Sequence, residues 1–226
     1  MKIIELSNLK KNYHTNKVIT EVLRGINLNI DEGEFVSIIG PSGSGKTTLL
    51  YVMSGLESYD SGSVKLFGKE VNTYKNKEIS FLRQKKVGFI FQFYNLIPNL
   101  TVYENILLAI TLANNDNEKD IDKVLDFVGL LDYKNYYPSQ ISGGMQQRVA
   151  IARCLINDPD IIFADEPTGN LDYHTGQMIM ELFAKLNKEL NKTIVLVTHN
   201  EEMIKFGTRY LKLRDGVVIA DEKINI

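Results

Sequence analysis

Eight consecutive residues carry the clearest chemistry in this 226-residue sequence: Gly40-Pro41-Ser42-Gly43-Ser44-Gly45-Lys46-Thr47. They fit the pattern G-x-x-x-x-G-K-[ST]. Gly40, Gly43 and Gly45 let the backbone curl so that successive N–H groups converge on phosphate oxygens, and Ser42 and Ser44 complete the candidate cradle. Lys46 adds a positive charge for the β- and γ-phosphates. Thr47 offers a hard hydroxyl oxygen suited to Mg2+, and Thr48 is within reach of the α-phosphate. A helix starting here aims its positive dipole end at the same anion.

A second group of acids follows far along the chain. Ile161-Ile162-Phe163-Ala164 is an apolar run ending in Asp165-Glu166. A phosphate loop needs an acid for Mg2+ at a neighbouring strand end, which Asp165 suits directly or through water. Glu166 suits the general base that orients and deprotonates an attacking water. His199 follows another apolar run, Ile194–Val197, at a place where strand ends line the ligand crevice of such sheets. A neutral imidazole there can hydrogen-bond the γ-phosphate and the attacking water. His14 and His174 lie in polar loop or helix-start contexts and read as solvated.

These groups require elements to hold them. Leu23–Ile30 alternates apolar and polar residues as a half-buried strand does, and Asp31-Glu32-Gly33 reads as a turn. Phe35–Ile39 is a nearly all-apolar strand feeding the loop, and a helix follows from Lys46 to about Met53. A short strand begins at Ser61-Gly62, and Val87–Phe91 reads as a buried strand. From Thr101 to about Asn157 the spacing turns helical, with Val102, Ile106, Leu107 and Ile110, then Ile121, Val124, Leu125 and Val128. Asn114–Asn117 is a polar surface loop. Asp172–Leu190 is a long amphipathic helix, and Arg209–Arg214 with Val217–Ala220 forms a hairpin about Asp215-Gly216. Strands alternating with helices indicate an α/β fold with a mainly parallel sheet.

Composition excludes other classes. Charged residues are 24% and hydrophobic residues 44%, as in folded globular proteins. There are 26 Lys plus Arg and 28 Asp plus Glu, a net charge of −2, so phosphate-backbone contacts are not the expected source of affinity and no nucleic-acid partner is expected. One cysteine, Cys154, and three histidines leave no internal disulfide and no structural zinc site, which fits a reducing cytoplasmic compartment. Glu at the fifth position and the absence of a long apolar core argue against a signal peptide. The apolar stretch Ile106–Ala113 is far short of a membrane span.

One further motif fixes the class. Ile141-Ser142-Gly143-Gly144-Met145-Gln146-Gln147-Arg148 offers a serine hydroxyl, two glycine N–H groups and a helix start, which together form a second anion-binding surface. It resembles the signature motif of ATP-binding cassette (ABC) ATPases. The order of phosphate loop, Gln92, signature, Asp165-Glu166, Gly169-Asn170-Leu171-Asp172 and His199 is similar to that family over essentially the whole chain.

The resemblance implies a P-loop NTPase core with a mainly parallel sheet, an N-terminal antiparallel β subdomain and an inserted helical subdomain. The whole chain, 1–226, would be one nucleotide-binding domain, with core at 1–92 and 158–226 and helices at 93–157. It implies ATP and Mg2+ as cofactors, Tyr13 stacking on adenine, and Gln92 contacting Mg2+ and the water. Asp172 would cross to a second subunit, and Lys46, Gln92, Glu166 and His199 would form the catalytic set. It further implies a head-to-tail homodimer in which Ser142, Gly143 and Gly144 meet the γ-phosphate of the partner's ATP. Ile141 and Met145 depart from the usual Leu and Gln; Met145 loses a polar side chain at the cross-dimer contact.

The stretch Phe91–Asn105 is similar to the branch that drives lipoprotein release, macrolide export and antimicrobial-peptide resistance. That branch includes a cell-division cassette with no obvious transport role; a short importer-type cassette is the alternative. The branch implies an integral membrane permease as partner, met by exposed members of Phe93, Tyr94, Leu96, Ile97 and Leu100, and a peripheral position on the inner face of the cell membrane. A small-molecule kinase would need an acceptor-binding lid. A nucleic-acid-directed relative would need a long coiled coil or a second cassette. The sequence holds none of these.

Overall fold

The computed structural model describes residues 1–15 and 18–224. Among the described residues ten strands run in chain order: β1 (Lys2–Thr15), β2 (Val18–Asp31), β3 (Phe35–Ile39), β4 (Ser61–Leu66), β5 (Lys69–Glu70), β6 (Val87–Phe91), β7 (Ile161–Asp165), β8 (Thr193–Val197), β9 (Arg209–Arg214) and β10 (Val217–Lys223). The longer helices are α1 (Lys46–Met53), α2 (Asn76–Lys85), α3 (Val102–Leu112), α4 (Ile121–Phe127), α5 (Gly143–Leu155) and α6 (Tyr173–Leu190).

The strands form two sheets. An antiparallel sheet has the order β2-β1-β4-β5, and a six-stranded sheet has the order β10-β9-β3-β8-β7-β6. In the second sheet all neighbours are parallel except the β9–β10 hairpin. β3 and β8 are fully buried, which is why their sequences run apolar without alternation.

Successive residues still point to opposite faces, and two cores result. Ile162, Ala164, Ile194 and Leu196 pack with α3, α4, α5 and α6. Ile161, Phe163, Val195 and Val197 pack with α1 and the antiparallel sheet. Residues 93–157 carry α3, α4 and α5 and no strand.

Register is what positions the site. Phe91 pairs with Asp165, Asp165 with Val197, and Val197 with Ile38. The residues that follow these strands, Gln92, Glu166, Thr198 and the start of the phosphate loop, therefore emerge along one edge. Strand register thus brings four distant sequence segments to one edge of the sheet.

Two elements carry little sequence signal. β1 changes register between Leu6 and Leu9, where Asn8 holds φ 47°, so its apolar alternation breaks. α2 has no fully buried residue, Ile79 and Leu82 being only half-buried. His14 is also not in a loop: it lies in β1, paired with Ile19, while His174 sits in the first turn of α6. Among the described residues no helix is long and apolar enough to cross a membrane.

Candidate active site

Between β3 and α1 the chain turns through Gly40, Gly43 and Gly45, all at positive φ. At Gly45, φ is 98° and a Cβ would lie 2.9 Å from the Val22 carbonyl oxygen, so glycine is required by both conformation and space. A Cβ on Gly43 would meet nothing within 4 Å, because that side faces an open cavity. The cavity is about 540 Å³ and is lined by Tyr13, Val22, Ser42, Gly43, Gly45, Lys46, Thr47, Thr48, Glu166 and His199.

Lys46 is buried and folds back, its Nζ donating to the carbonyls of Gly40 and Pro41 at 2.9 Å each. Burial pulls its ammonium below the usual lysine range, against the pull of Glu166 and then Asp165. The Ser44 hydroxyl is buried without a hydrogen-bond partner.

Asp165 closes the strand end, with its carboxylate held from both sides. Thr47 Oγ1 donates to Oδ1 at 3.0 Å, and Tyr51 Oη donates to Oδ2 at 3.0 Å. Burial pushes the Asp165 carboxyl above the usual range, and the two hydroxyls act in the opposite direction. Burial, with Asp165 adding to it, pushes the Tyr51 phenol up to about 12.

Glu166 occupies the left-handed backbone region, φ 46°, which costs a non-glycine residue about 1–2 kcal/mol. Its amide is fixed to Val197 O at 3.0 Å and its carbonyl accepts from Gly169 N at 3.0 Å. Its Oε2 lies 3.1 Å from His199 Nδ1, so carboxylate and imidazole touch, and both residues line the cavity.

Tyr13 is the aromatic wall. Its Oη donates to Glu57 Oε2 at 2.6 Å, Glu57 pairs with the buried Lys11 at 3.2 Å, and the Lys11 ammonium lies 5.1 Å from the Tyr13 ring centroid. The Tyr13 side chain is partly exposed and lines the cavity.

The remaining sequence-derived residues lie elsewhere. Gln92 does not line the cavity. Its Nε2 donates to Asn170 Oδ1 at 3.2 Å, and Asn170 Nδ2 donates to the Gln92 carbonyl at 3.1 Å, which ties Gln92 to the 169–172 loop. Ser142, Gly143 and Gly144 begin α5 and line no part of the cavity either. Ser142 Oγ accepts from Met145 N at 3.3 Å. A Cβ on Gly144 would meet Thr175 Cγ2 at 2.4 Å, so the signature packs against the start of α6. There Asp172 caps the helix, accepting from Thr175 N at 3.0 Å and Thr175 Oγ1 at 2.6 Å.

Met145 is half-buried against the helical core, so its side chain serves packing. In the 93–100 stretch, Phe93 and Ile97 are exposed, whereas Leu96 packs on the helical core.

Sequence reasoning missed Tyr51, Glu57 and Lys11. Tyr51 had a local signal, since it stands four residues after Thr47 on the same face of α1. Lys11 stands two residues before Tyr13 in β1, a local spacing, whereas Glu57 had no signal because only the tertiary fold brings it to Tyr13.

The model of the family described as "ABC transporter" matches residues 23–169. The lipoprotein-releasing system ATP-binding protein LolD of Cytophaga hutchinsonii is 43% identical over 96% of this chain and 99% of its own. The bacitracin export ATP-binding protein BceA of Halalkalibacterium halodurans is 43% identical over 96% of this chain and 87% of its own. The solved dimeric structure of a post-hydrolysis state of the ATP-binding cassette MJ0796 of Methanocaldococcus jannaschii, bound to ADP and Pi, superposes with a TM-score of 0.88. It is 42% identical and covers 99% of both chains. With a phosphate loop, an aromatic wall and an acid–imidazole pair around one cavity, and relatives of this similarity along its full length, the chain belongs to the ABC transporter family as an ATP-binding ATPase cassette.

Proposed function

We propose that this cassette works as a head-to-tail pair attached to a membrane permease, closing on two ATP molecules and opening when they are hydrolysed. ATP enters with adenine on Tyr13 and its phosphates on the loop Gly40–Thr48. The buried, unpartnered Ser44 hydroxyl and the open face at Gly43 fit a bound polyphosphate. Lys46 then exchanges its two loop carbonyls for phosphate oxygens. Glu166 takes the proton of the attacking water, and His199 orients Glu166 and the γ-phosphate.

The residues present also fit Mg2+. Thr47 Oγ1 and Asp165 Oδ1, 3.0 Å apart, offer hard oxygens of the kind that hold this ion together with substrate phosphates. When bound, the ion neutralises charge developing on the phosphates. Gln92, hinged to Asn170, would report the state of that site to the helical segment.

The observation that carries the dimer is the separation of two anion-seeking helix starts. Ser142, Gly143 and Gly144 do not line their own chain's cavity, which supports a reading in which they would complete the site of a second copy. In that arrangement Asp172 crosses at the same seam. Exposed Phe93 and Ile97 give the permease an apolar contact. A role at the inner face of the cell membrane, in export, lipoprotein or peptide handling, or mechanotransmission, follows from that partner and from the relatives' names.

The test is Glu166→Gln. This variant should bind ATP, lose hydrolysis by about a hundred- to ten-thousandfold, and dimerise in Mg-ATP by light scattering. A Glu166→Gln protein that stays monomeric at saturating Mg-ATP overturns the composite-site reading.

A further inference from the structure

We propose that Tyr51 is a positioning residue for the metal end of the site: by holding the outer oxygen of Asp165 it keeps the inner oxygen turned toward the divalent cation. The inference rests on the reading of Thr47 and Asp165 as the Mg2+ residues.

The geometry supports a clamp rather than a chance contact. Asp165 has two carboxylate oxygens and each receives one hydroxyl: Thr47 on Oδ1 and Tyr51 on Oδ2, both at 3.0 Å. Thr47 can keep its donation while the lone pairs of its oxygen face a cation, because a hydroxyl is donor and acceptor at once. Tyr51 has a different task. Rotation of the carboxylate about its Cβ–Cγ bond would carry Oδ2 away from the Tyr51 phenol, so the phenol resists that rotation.

The phenol is itself well anchored. Its ring packs against the core beneath α1. The Tyr51 carbonyl accepts from Ser54 Oγ at 3.0 Å, Leu56 N at 2.9 Å and Glu57 N at 3.1 Å. Three donors on one carbonyl lock the last turn of α1 to the segment that carries Glu57, the partner of Tyr13. Residue 51 thus ties the carboxylate end of the cavity to its aromatic end.

A rigid carboxylate loses less freedom when it meets a cation than a rotating one does. Removing the phenol oxygen should therefore weaken binding of the metal and leave the nucleotide's other contacts alone. The test uses the full-length protein and its Tyr51→Phe variant, which keeps the ring. A fluorescent ADP analogue is titrated in EDTA and then over a range of Mg2+, and bound Mn2+ is followed by electron paramagnetic resonance.

The expected result is metal-free ADP affinity within twofold of the parent, with Mg2+ and Mn2+ half-saturation raised about two- to tenfold, the worth of one net hydrogen bond. Turnover should recover at high Mg2+. In an Asp165→Asn background the same change should add less than about twofold. Unchanged metal half-saturation, or metal-free affinity that falls as far as metal-bound affinity, overturns the proposal. If the parent itself shows neither Mg2+-dependent ADP binding nor a bound Mn2+ signal, the Mg2+ reading fails and takes this one with it.

Discussion

Two helices in this molecule begin with glycine-rich, anion-seeking turns, and they solve the same problem differently. α1 starts at Gly45 in a left-handed conformation with no side-chain cap, beside a buried Ser44 hydroxyl that lacks a partner. α5 starts at Ser142 in an extended conformation, with its own hydroxyl accepting from Met145 N. The first is left electrostatically open, so an anion stabilises it directly. The second is already partly satisfied and packs through Gly144 onto the start of α6. Under the proposed function, this difference would let one chain hold nucleotide at the first site and offer the second surface to a phosphate carried by another copy.

Substitutions can break or sharpen this contrast. The largest effect is expected at Lys46→Ala, which removes a buried charge at the open helix start. ATP affinity should fall by about ten- to a hundredfold, read by equilibrium binding, as befits a lost hydrogen bond to a charged group. A smaller effect is expected at Ser142→Ala. Loss of this cap should cost about 1 kcal/mol of stability in denaturant titration. Monomer affinity for ATP should hold, while ATP-driven dimerisation of the Glu166→Gln protein is lost. Equal damage to monomer binding by both substitutions would erase the distinction between the two helix starts.

Smaller again is Met145→Gln. Met145 packs against the helical core, so the polar replacement should destabilise by up to about 1 kcal/mol. If dimerisation strengthens as well, residue 145 acts across the seam in addition to its packing role.

The smallest effect concerns pH. Glu104 in the cap of α3 is held below the usual carboxylate range by the Thr101 backbone amide and then its hydroxyl. A depressed folded value means its contribution is present at neutral pH and is lost as pH falls through that value. Amide exchange at Thr101 and Glu104 should therefore quicken in acid before the core opens, and much less so in Glu104→Gln.

The legibility of the sequence followed the range of the interaction. The phosphate loop, β3 and α1 were readable because strand, loop and helix are contiguous and every requirement is local. Asp165, Glu166 and His199 were readable because apolar runs end at them. β1 was hidden because its bulge at Asn8 breaks the alternation, and α2 because it buries no residue fully. The Tyr13–Glu57 contact and the Tyr51 contact with Asp165 depend on tertiary packing of α1 and the segment after it against β1 and β7. Glu57 has no spacing that marks it. Gln92, expected at the site from the sequence, lies outside the cavity lining, and its tie to Asn170 depends on packed loops that no local spacing marks.

The strand register has a consequence for how this chain comes to life. The cavity needs β8 beside β7, and also β8 beside β3, a strand from far earlier in the sequence. Such pairings are slow to nucleate, because a long loop must close before any contact rewards it. The cavity is complete only when Glu166 and His199, far along the chain, meet the early loop Ser42–Thr48. A nucleotide that binds only the folded chain would therefore hold these segments together by mass action.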